Sequence, residues 1–293
     1  MCKEGQKVSI KSWLESVRSY FVSVAPELVY LFDTYAAEAE FGRRYIDSDL
    51  DRLQLEAKIL EVGAGSLLLS CQLVREGFDV TALEPVSDGF LHFEQLRQLV
   101  VAVAHSQGCC PRILDRPAEA LDTVNRFEYA FSVNVMEHVN DVACVLEKVG
   151  NSLVVGATYR FTCPNYLFPY EPHFDIPTLF SKQITERVLW GKIFGSTTVP
   201  DPIGTWRSLN WINVVQIIRV VRRLSDLKAT FNRSMLTSTL ERIALDSEFA
   251  TRRSPVVRSL VLILVRWRIH LLFRLIPVTI QPIMDCRIEK TAD

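Results

Sequence analysis

The chain has 293 residues, with 33 Lys and Arg against 34 Asp and Glu and a formal net charge of −1 at pH 7. That length suits one elaborated domain, and the charge balance supplies no global field to recruit nucleic acid. Seven cysteines without a C-x-x-C pair exclude a disulfide framework and leave free thiols of a reducing compartment as the expectation.

Residues 1–7 lead into Trp13 and Leu14 without the apolar core of a signal peptide, so a cytoplasmic protein is expected. From 10 to 55 the periodicity is helical, with a break at Pro26 and an apolar face made by Tyr30, Leu31, Tyr35, Phe41 and Tyr45. The run Lys58-Ile59-Leu60-Glu61-Val62 then predicts a strand that ends in Gly63-Ala64-Gly65. Glycine lacks a Cβ, so this turn can take positive φ and let a ligand lie against its backbone. A helix from about 67 to 76 would point its unpaired N–H groups at the same place.

The next predicted strand, 79–84, carries Glu84 at its end, with Pro85 beside it. In a parallel sheet that acid stands next to the glycine turn, where a carboxylate accepts the two hydroxyls of a ribose. A bare strand-to-helix turn without a ligand is one alternative. A dinucleotide-dependent dehydrogenase is another, but its third glycine would fall at Leu68.

Alternation continues with a helix near 87–106, strands near 112–114 and 128–133, a helix near 141–150 and a strand near 157–163. This is the pattern of a parallel α/β sheet covered on both faces. Cys163-Pro164-Asn165-Tyr166-Leu167-Phe168-Pro169-Tyr170-Glu171-Pro172-His173-Phe174-Asp175 follows. Its prolines restrict the backbone and are expected to present Tyr166, Tyr170, Glu171 and His173 to a substrate, against the alternative of a purely structural loop.

Residues 227–232 and 282–289 supply two further strands. Between them, 252–282 holds six arginines (Arg252, Arg253, Arg258, Arg266, Arg268, Arg274) and no acid. As one helix over 256–276 it would align Ser259, Arg266, His270 and Arg274 in a narrow stripe and bury nearly everything else. The partner could be the protein's own core, a second subunit or a membrane surface. Central arginines argue against a span.

The acid-x-Gly-x-Gly of Glu61, Gly63 and Gly65, the strand-end acid Glu84, the segment Ala118-Glu119-Ala120-Leu121 and the turn Asn134-Val135-Met136-Glu137-His138 together resemble the class I S-adenosylmethionine-dependent methyltransferases. The match is to the small-molecule, ubiquinone-biosynthesis-like branch and runs from about 58 to 165 in order. Leu67 stands where the family's third glycine would be, and Pro117 replaces an acid.

The resemblance implies a Rossmann-like seven-stranded sheet, mostly parallel with the last strand antiparallel, helices on both faces and an added helical cap. It also implies N-terminal helices over the cofactor (1–56), from which Arg44 and Tyr45 would reach its methionine end. The expected divisions are a core (57–232) containing a substrate loop (163–212), a basic-apolar cap (233–281) and a last strand with its tail (282–293).

Glu61, Gly63, Ala64 and Gly65 would surround the methionine part of S-adenosylmethionine and Glu84 with Pro85 the ribose. Ala118 and Glu119 would contact the adenine, and Asn134 and Val135 the sulfonium side. His138 and His173 are the candidate bases, each weighed against a structural histidine.

Some quinone O-methyltransferases carry Glu-x-x-Glu-His here. Asn134 stands in place of the first acid, so no metal is expected.

The expected reaction is methyl transfer to an oxygen, or less favourably a nitrogen or carbon, of a small or lipid-linked acceptor, with S-adenosylhomocysteine as product. No nucleic acid partner is expected. A homodimer and peripheral contact through 256–276 with the inner face of a membrane are left open. An inactive scaffold of the same fold and a protein or nucleic-acid methyltransferase are the rival readings.

Overall fold

A computed structural model describes residues 9–85, 91–179, 181–199, 201–245, 250 and 255–292. Arg252, Arg253 and the first seven residues lie outside the described residues.

In chain order the elements are α1 (Ile10–Val24), α2 (Val29–Leu50), β1 (Lys58–Val62), α3 (Leu68–Arg75), β2 (Asp79–Leu83), α4 (Leu91–Ser106), β3 (Arg112–Leu114) and β4 (Phe127–Val133). Then come α5 (Val142–Ser152), β5 (Leu153–Pro164), a short hairpin of β6 (Tyr170–Glu171) and β7 (Ile176–Pro177), α6 (Lys182–Phe194), α7 (Pro202–Ser208) and α8 (Val214–Val221). The chain finishes with β8 (Leu227–Phe231), α9 (Met235–Leu245), α10 (Pro255–Arg266) and β9 (Ile283–Lys290).

Seven strands form one sheet in the order β3-β2-β1-β4-β5-β9-β8. β1 pairs in parallel with β2 and β4, β2 pairs in parallel with β3, and β8 pairs antiparallel with β9. This is the seven-stranded Rossmann-like sheet that the resemblance implies, and its parallel strands are those the alternation of elements predicts. The chain packs as two compact units, one of residues 1–132 and 151–159, the other of 133–150 and 160–293.

In the first unit, Ile59, Leu60, Val80, Ala82 and Phe131 are almost fully buried, as the two-sided cover of a parallel sheet requires. Ser9 caps α1 by accepting from the Lys11 N–H, and the helix stops before Pro26, whose ring opens a short 3₁₀ turn. α1 buries Trp13, Leu14, Val17 and Phe21 along one face, and the Trp13 indole donates to the Leu68 carbonyl at 2.9 Å. α2 is fixed by Arg43, which bonds both Glu76 and Asp47 at 2.8 Å.

β5 begins at Leu153, directly after α5, earlier than its expected start at 157. Gly156 sits there with φ 83°, and this glycine interrupts the apolar pattern that marks the strand in sequence.

In the second unit, Arg160 grips Asp285 of β9 through two bonds of 3.0 and 2.7 Å, and Asn232 donates to the same carboxylate at 2.9 Å. Asn165 donates its side-chain amide to the carbonyls of Val278, Thr279 and Gln281, and its backbone N–H to Pro282. The loop after β5 is thereby pinned to the segment that enters β9.

The single helix expected over 256–276 is broken. α10 ends at Arg266, Arg268 adopts φ 57°, and Ile269–Leu275 continues as a 3₁₀ turn. Within the chain itself only part of this stretch is covered. Val261 and His270 are buried, whereas Trp267 is 72% and Leu275 75% exposed.

Candidate functional site

The first unit gathers the glycine turn and both acids. Gly63 and Gly65 take φ 72° and 50°, values that cost glycine nothing. The Gly63 N–H donates to the Leu83 carbonyl at 2.8 Å, which ties the turn to the end of β2. One residue on, Glu84 accepts from the Gly65 N–H at 3.0 Å through Oε2, and its own N–H donates to Leu114 of β3 at 3.1 Å. The expected juxtaposition of glycine turn and strand-end carboxylate is therefore present in one hydrogen bond.

Burial raises the Glu84 carboxyl above its usual range, opposed by the Gly65 N–H and by Arg97. Glu61 is deeper. Its carboxylate accepts from the Ser70 hydroxyl of α3, and burial, with help from the Glu84 charge, pushes it up to about 8. Two carboxyls thus hold their protons unusually tightly beside one glycine turn.

Leu67, at the place of the missing third glycine, takes a left-handed conformation (φ 64°), and its side chain is fully buried. The turn closes with the Leu67 N–H on the Ala64 carbonyl at 2.9 Å. A left-handed backbone is held there without a glycine, at a conformational cost of about 1–2 kcal/mol.

Ala118 is buried and Glu119 half-buried, in a 3₁₀ turn just past β3. Pro85 is exposed. Arg44 is exposed, and Tyr45 is buried in a stack on Phe41 with ring centroids 6.1 Å apart. Tyr35 is the α2 side chain that feels Glu84. Burial, and then the Glu84 and Glu38 charges, raise its phenol. Sequence reading counted Tyr35 only as part of an apolar face, and no spacing signal separates it from Tyr30 or Tyr45.

The second unit holds the histidines. Asn134 is exposed at φ 55° and donates its N–H to Thr162 at 2.9 Å, while Val135 is half-buried and accepts from the His138 N–H at 2.8 Å. This tight turn sends Glu137 inward.

Glu137 is fully buried, neither of its carboxylate oxygens has a hydrogen-bond partner among the described residues, and burial pushes it up to about 7. Burial and the neighbouring His173 push His138 down to about 4, so its ring is uncharged at neutral pH. The His138 Nδ1 lies 2.8 Å from the Ser208 hydroxyl, and its ring meets that of His173 edge-on at 5.4 Å.

Glu171 organises the loop. It is fully buried, with Oε1 at 2.6 Å from His173 Nδ1 and 3.2 Å from the Tyr166 hydroxyl, and Oε2 accepting from the Phe174 N–H at 2.8 Å. Tyr166 is buried and stacked on Trp211 at 5.4 Å, and burial and the Glu171 charge raise its phenol far above the ordinary range. Tyr170 donates to Asp175 at 2.6 Å. The expectation that all four loop side chains are presented to a substrate is thus only partly met: Tyr166 and Glu171 hold the loop, and His173 retains partial exposure.

Trp211 was not singled out in the sequence. It takes φ 58°, a strained value for a bulky residue, and its buried indole N–H has no hydrogen-bond partner among the described residues.

Among the described residues, Glu137, His138 and His173 form a group whose donor atoms all lie within 4.8 Å of one another, a spacing that a metal ion could use. Asn134 is not part of this group. The acid missing from the quinone-enzyme pattern is thus matched by a histidine from a different loop.

No family model matches the chain. It is 47% identical over 278 residues to uncharacterized protein Rv1509 of Mycobacterium tuberculosis, across 95% of this chain and 94% of that one. It is 28% identical over 117 residues to a ubiquinone biosynthesis O-methyltransferase of Azorhizobium caulinodans, a match that spans 37% of this chain and 43% of that protein. Among solved structures, phosphoethanolamine N-methyltransferase 2 of Haemonchus contortus in complex with S-adenosyl-L-methionine superposes with a TM-score of 0.51 at 16% identity. That match covers 86% of this chain and 52% of the Haemonchus protein, so the chain spans about half of that structure.

Proposed function

The chain belongs to the same family as the M. tuberculosis relative and has the class I S-adenosylmethionine-dependent methyltransferase fold, and from that premise we propose that it methylates an oxygen of a small or lipid-linked acceptor. The observation that carries the reading is the hydrogen bond from the Gly65 N–H to Glu84 Oε2 at 3.0 Å. A carboxylate has room for several donors, and one backbone N–H uses only a fraction of that capacity. The remaining acceptor capacity of this carboxylate therefore fits a ribose with two neighbouring hydroxyls.

When bound, S-adenosylmethionine supplies an electrophilic methyl group on a sulfonium whose departure leaves a neutral thioether. The protein has two tasks, to orient the acceptor and to take its proton. Glu84 would take the ribose and Glu61 with the Gly63–Gly65 turn the methionine part. Ala118 and Glu119 would flank the adenine, and Asn134 and Val135 the sulfonium.

His173 is the base. With Nδ1 directed at Glu171, its Nε2 carries the lone pair, and the buried carboxylate stabilises the imidazolium that forms on proton uptake. His138, uncharged and held by Ser208, orients the acceptor. Nothing in this assignment requires a metal, although the Glu137, His138 and His173 donors could bind one.

Calorimetry with S-adenosylmethionine tests the site. Wild type binds, and Glu84→Ala loses binding with an unchanged circular dichroism spectrum. Equal affinity in the two proteins overturns the assignment. Formation of S-adenosylhomocysteine with a panel of phenolic, sugar and lipid acceptors then separates an enzyme from a scaffold that binds without turnover.

A further inference from the structure

We infer that α10 and the 3₁₀ turn behind it form a surface that docks on an anionic lipid bilayer. α10 is apolar on two sides. On one, Val261 and Val265 pack with Leu240, Ile243 and Ala250 into a small core against α9. On the other, Val256, Leu260, Ile263 and Trp267 recur at helical spacing and are exposed by 78%, 56%, 53% and 72%. Beyond the break at Arg268 the same exposure continues at Leu272 (61%) and Leu275 (75%). A soluble monomer rarely leaves so large a contiguous apolar face in water.

The charges around this face specify the occupant. Arg266 stands beside Ile263 and Trp267, and Arg268 and Arg274 are exposed beyond the break; Arg258, also exposed, lies on the side of Val261, and the sequence from 250 to 284 contains no acid. The nearest acid on the element packed beneath, Glu241 of α9, is engaged by His270 at 3.1 Å. α8 packs against the 3₁₀ turn Val278–Ile280. Its outer side forms a groove of about 410 Å³ lined by Val215, Ile218, Arg219, Arg222 and Arg223.

A bare apolar face would suit a second copy of the chain. A face in which arginines interleave with apolar side chains repels its own copy and complements lipid phosphates. Exposed tryptophan beside arginine is the pairing that settles at the headgroup level, where the ring is half-immersed and the guanidinium stays wet. Among the described residues no helix is long and apolar enough to cross a membrane, so this surface lies on the bilayer rather than through it.

The test is co-sedimentation of the full chain with vesicles of phosphatidylcholine alone and of phosphatidylcholine with about 30 mol % phosphatidylglycerol. The expected result is binding at least about tenfold tighter to the anionic vesicles, weakened by raising salt from about 0.05 to about 0.5 M. Arg266→Glu with Arg274→Glu, and separately Trp267→Ala, should each reduce vesicle binding about tenfold or more while leaving urea unfolding unchanged. Sedimentation velocity of the free protein supplies the contrary outcome. A wild-type dimer that Trp267→Ala converts to a monomer assigns the face to a second copy and overturns the proposal. Absent binding to anionic vesicles, or equal binding to neutral ones, overturns it as well.

Discussion

Glu61→Gln isolates the cost of holding a carboxyl in the dry core beneath the glycine turn. Burial moves Glu61 from an ordinary 4.5 to about 8. A carboxyl raised in this way keeps its proton in the folded state over a range of pH in which the unfolded chain has already released it. Its favourable contribution is complete below 4.5 and is lost as pH climbs toward 8. At about 1.4 kcal/mol per pH unit the loss amounts to several kcal/mol, on the order of 3–5 once relaxation of a buried site is allowed.

Glutamine has the same shape and no charge, and its amide can exchange a hydrogen bond with the Ser70 hydroxyl in place of the carboxylate. Urea unfolding of wild type and Glu61→Gln at pH 5, 6, 7 and 8 should show the two nearly equal at the acid end. The variant should be more stable by an amount that grows to a few kcal/mol at the alkaline end. Comparison of the pair removes the parallel effect of Glu137, which is unchanged in both. A stability difference that does not vary across that range would mean that Glu61 is ionised in the folded protein, and would refute the reasoning.

Glu171→Gln should keep S-adenosylmethionine affinity but lower kcat about 10- to 100-fold, and His173→Ala by about 10²–10⁴-fold; an unchanged kcat in either would remove His173 as the base. Leu67→Gly relieves a left-handed leucine at the start of α3 but empties a fully buried site, so a net loss of about 1–3 kcal/mol is expected in urea unfolding. A stabilised variant would show that backbone strain outweighs burial there. Asp285→Ala leaves Arg160 buried without its carboxylate and should cost about 3–5 kcal/mol. Turnover should persist after chelator treatment and dialysis; loss that is restored by a divalent ion would assign the Glu137, His138 and His173 group to a metal.

The parts of the fold legible in the sequence are those written in local pattern. β1 and β2 are short apolar runs stopped by glycine or an acid, and their ends coincide with the residues that stop them. Pairing of Val62 with Leu83 then brings Gly65 and Glu84 together as a consequence of parallel register. β5 was harder, because Gly156 breaks its alternation and its first residues follow α5 without a turn. Leu67 is a second such case. Leucine stands at the third-glycine place, and with its side chain buried it holds a left-handed backbone that no local pattern announces.

The site in the second unit was less legible because its organising contacts join positions far apart in sequence and depend on burial. Glu171 reads as a loop acid, yet it is fully buried and ties Tyr166, His173 and the Phe174 N–H into one unit. Glu137 reads as the partner of His138 in a short motif, yet it is a buried carboxyl without a hydrogen-bond partner among the described residues. Periodicity has the same limit in α10. It records which faces are apolar and not which of them is covered, and only the packing against α9 separates Val261 from Leu260 one position earlier. The arginines then discriminate between remaining partners, since charge pattern, unlike apolar pattern, carries the sign of what it meets. A substitution that reverses that sign without altering apolar area, Arg266→Glu, is therefore the change that should separate lipid docking from burial against another copy of this chain.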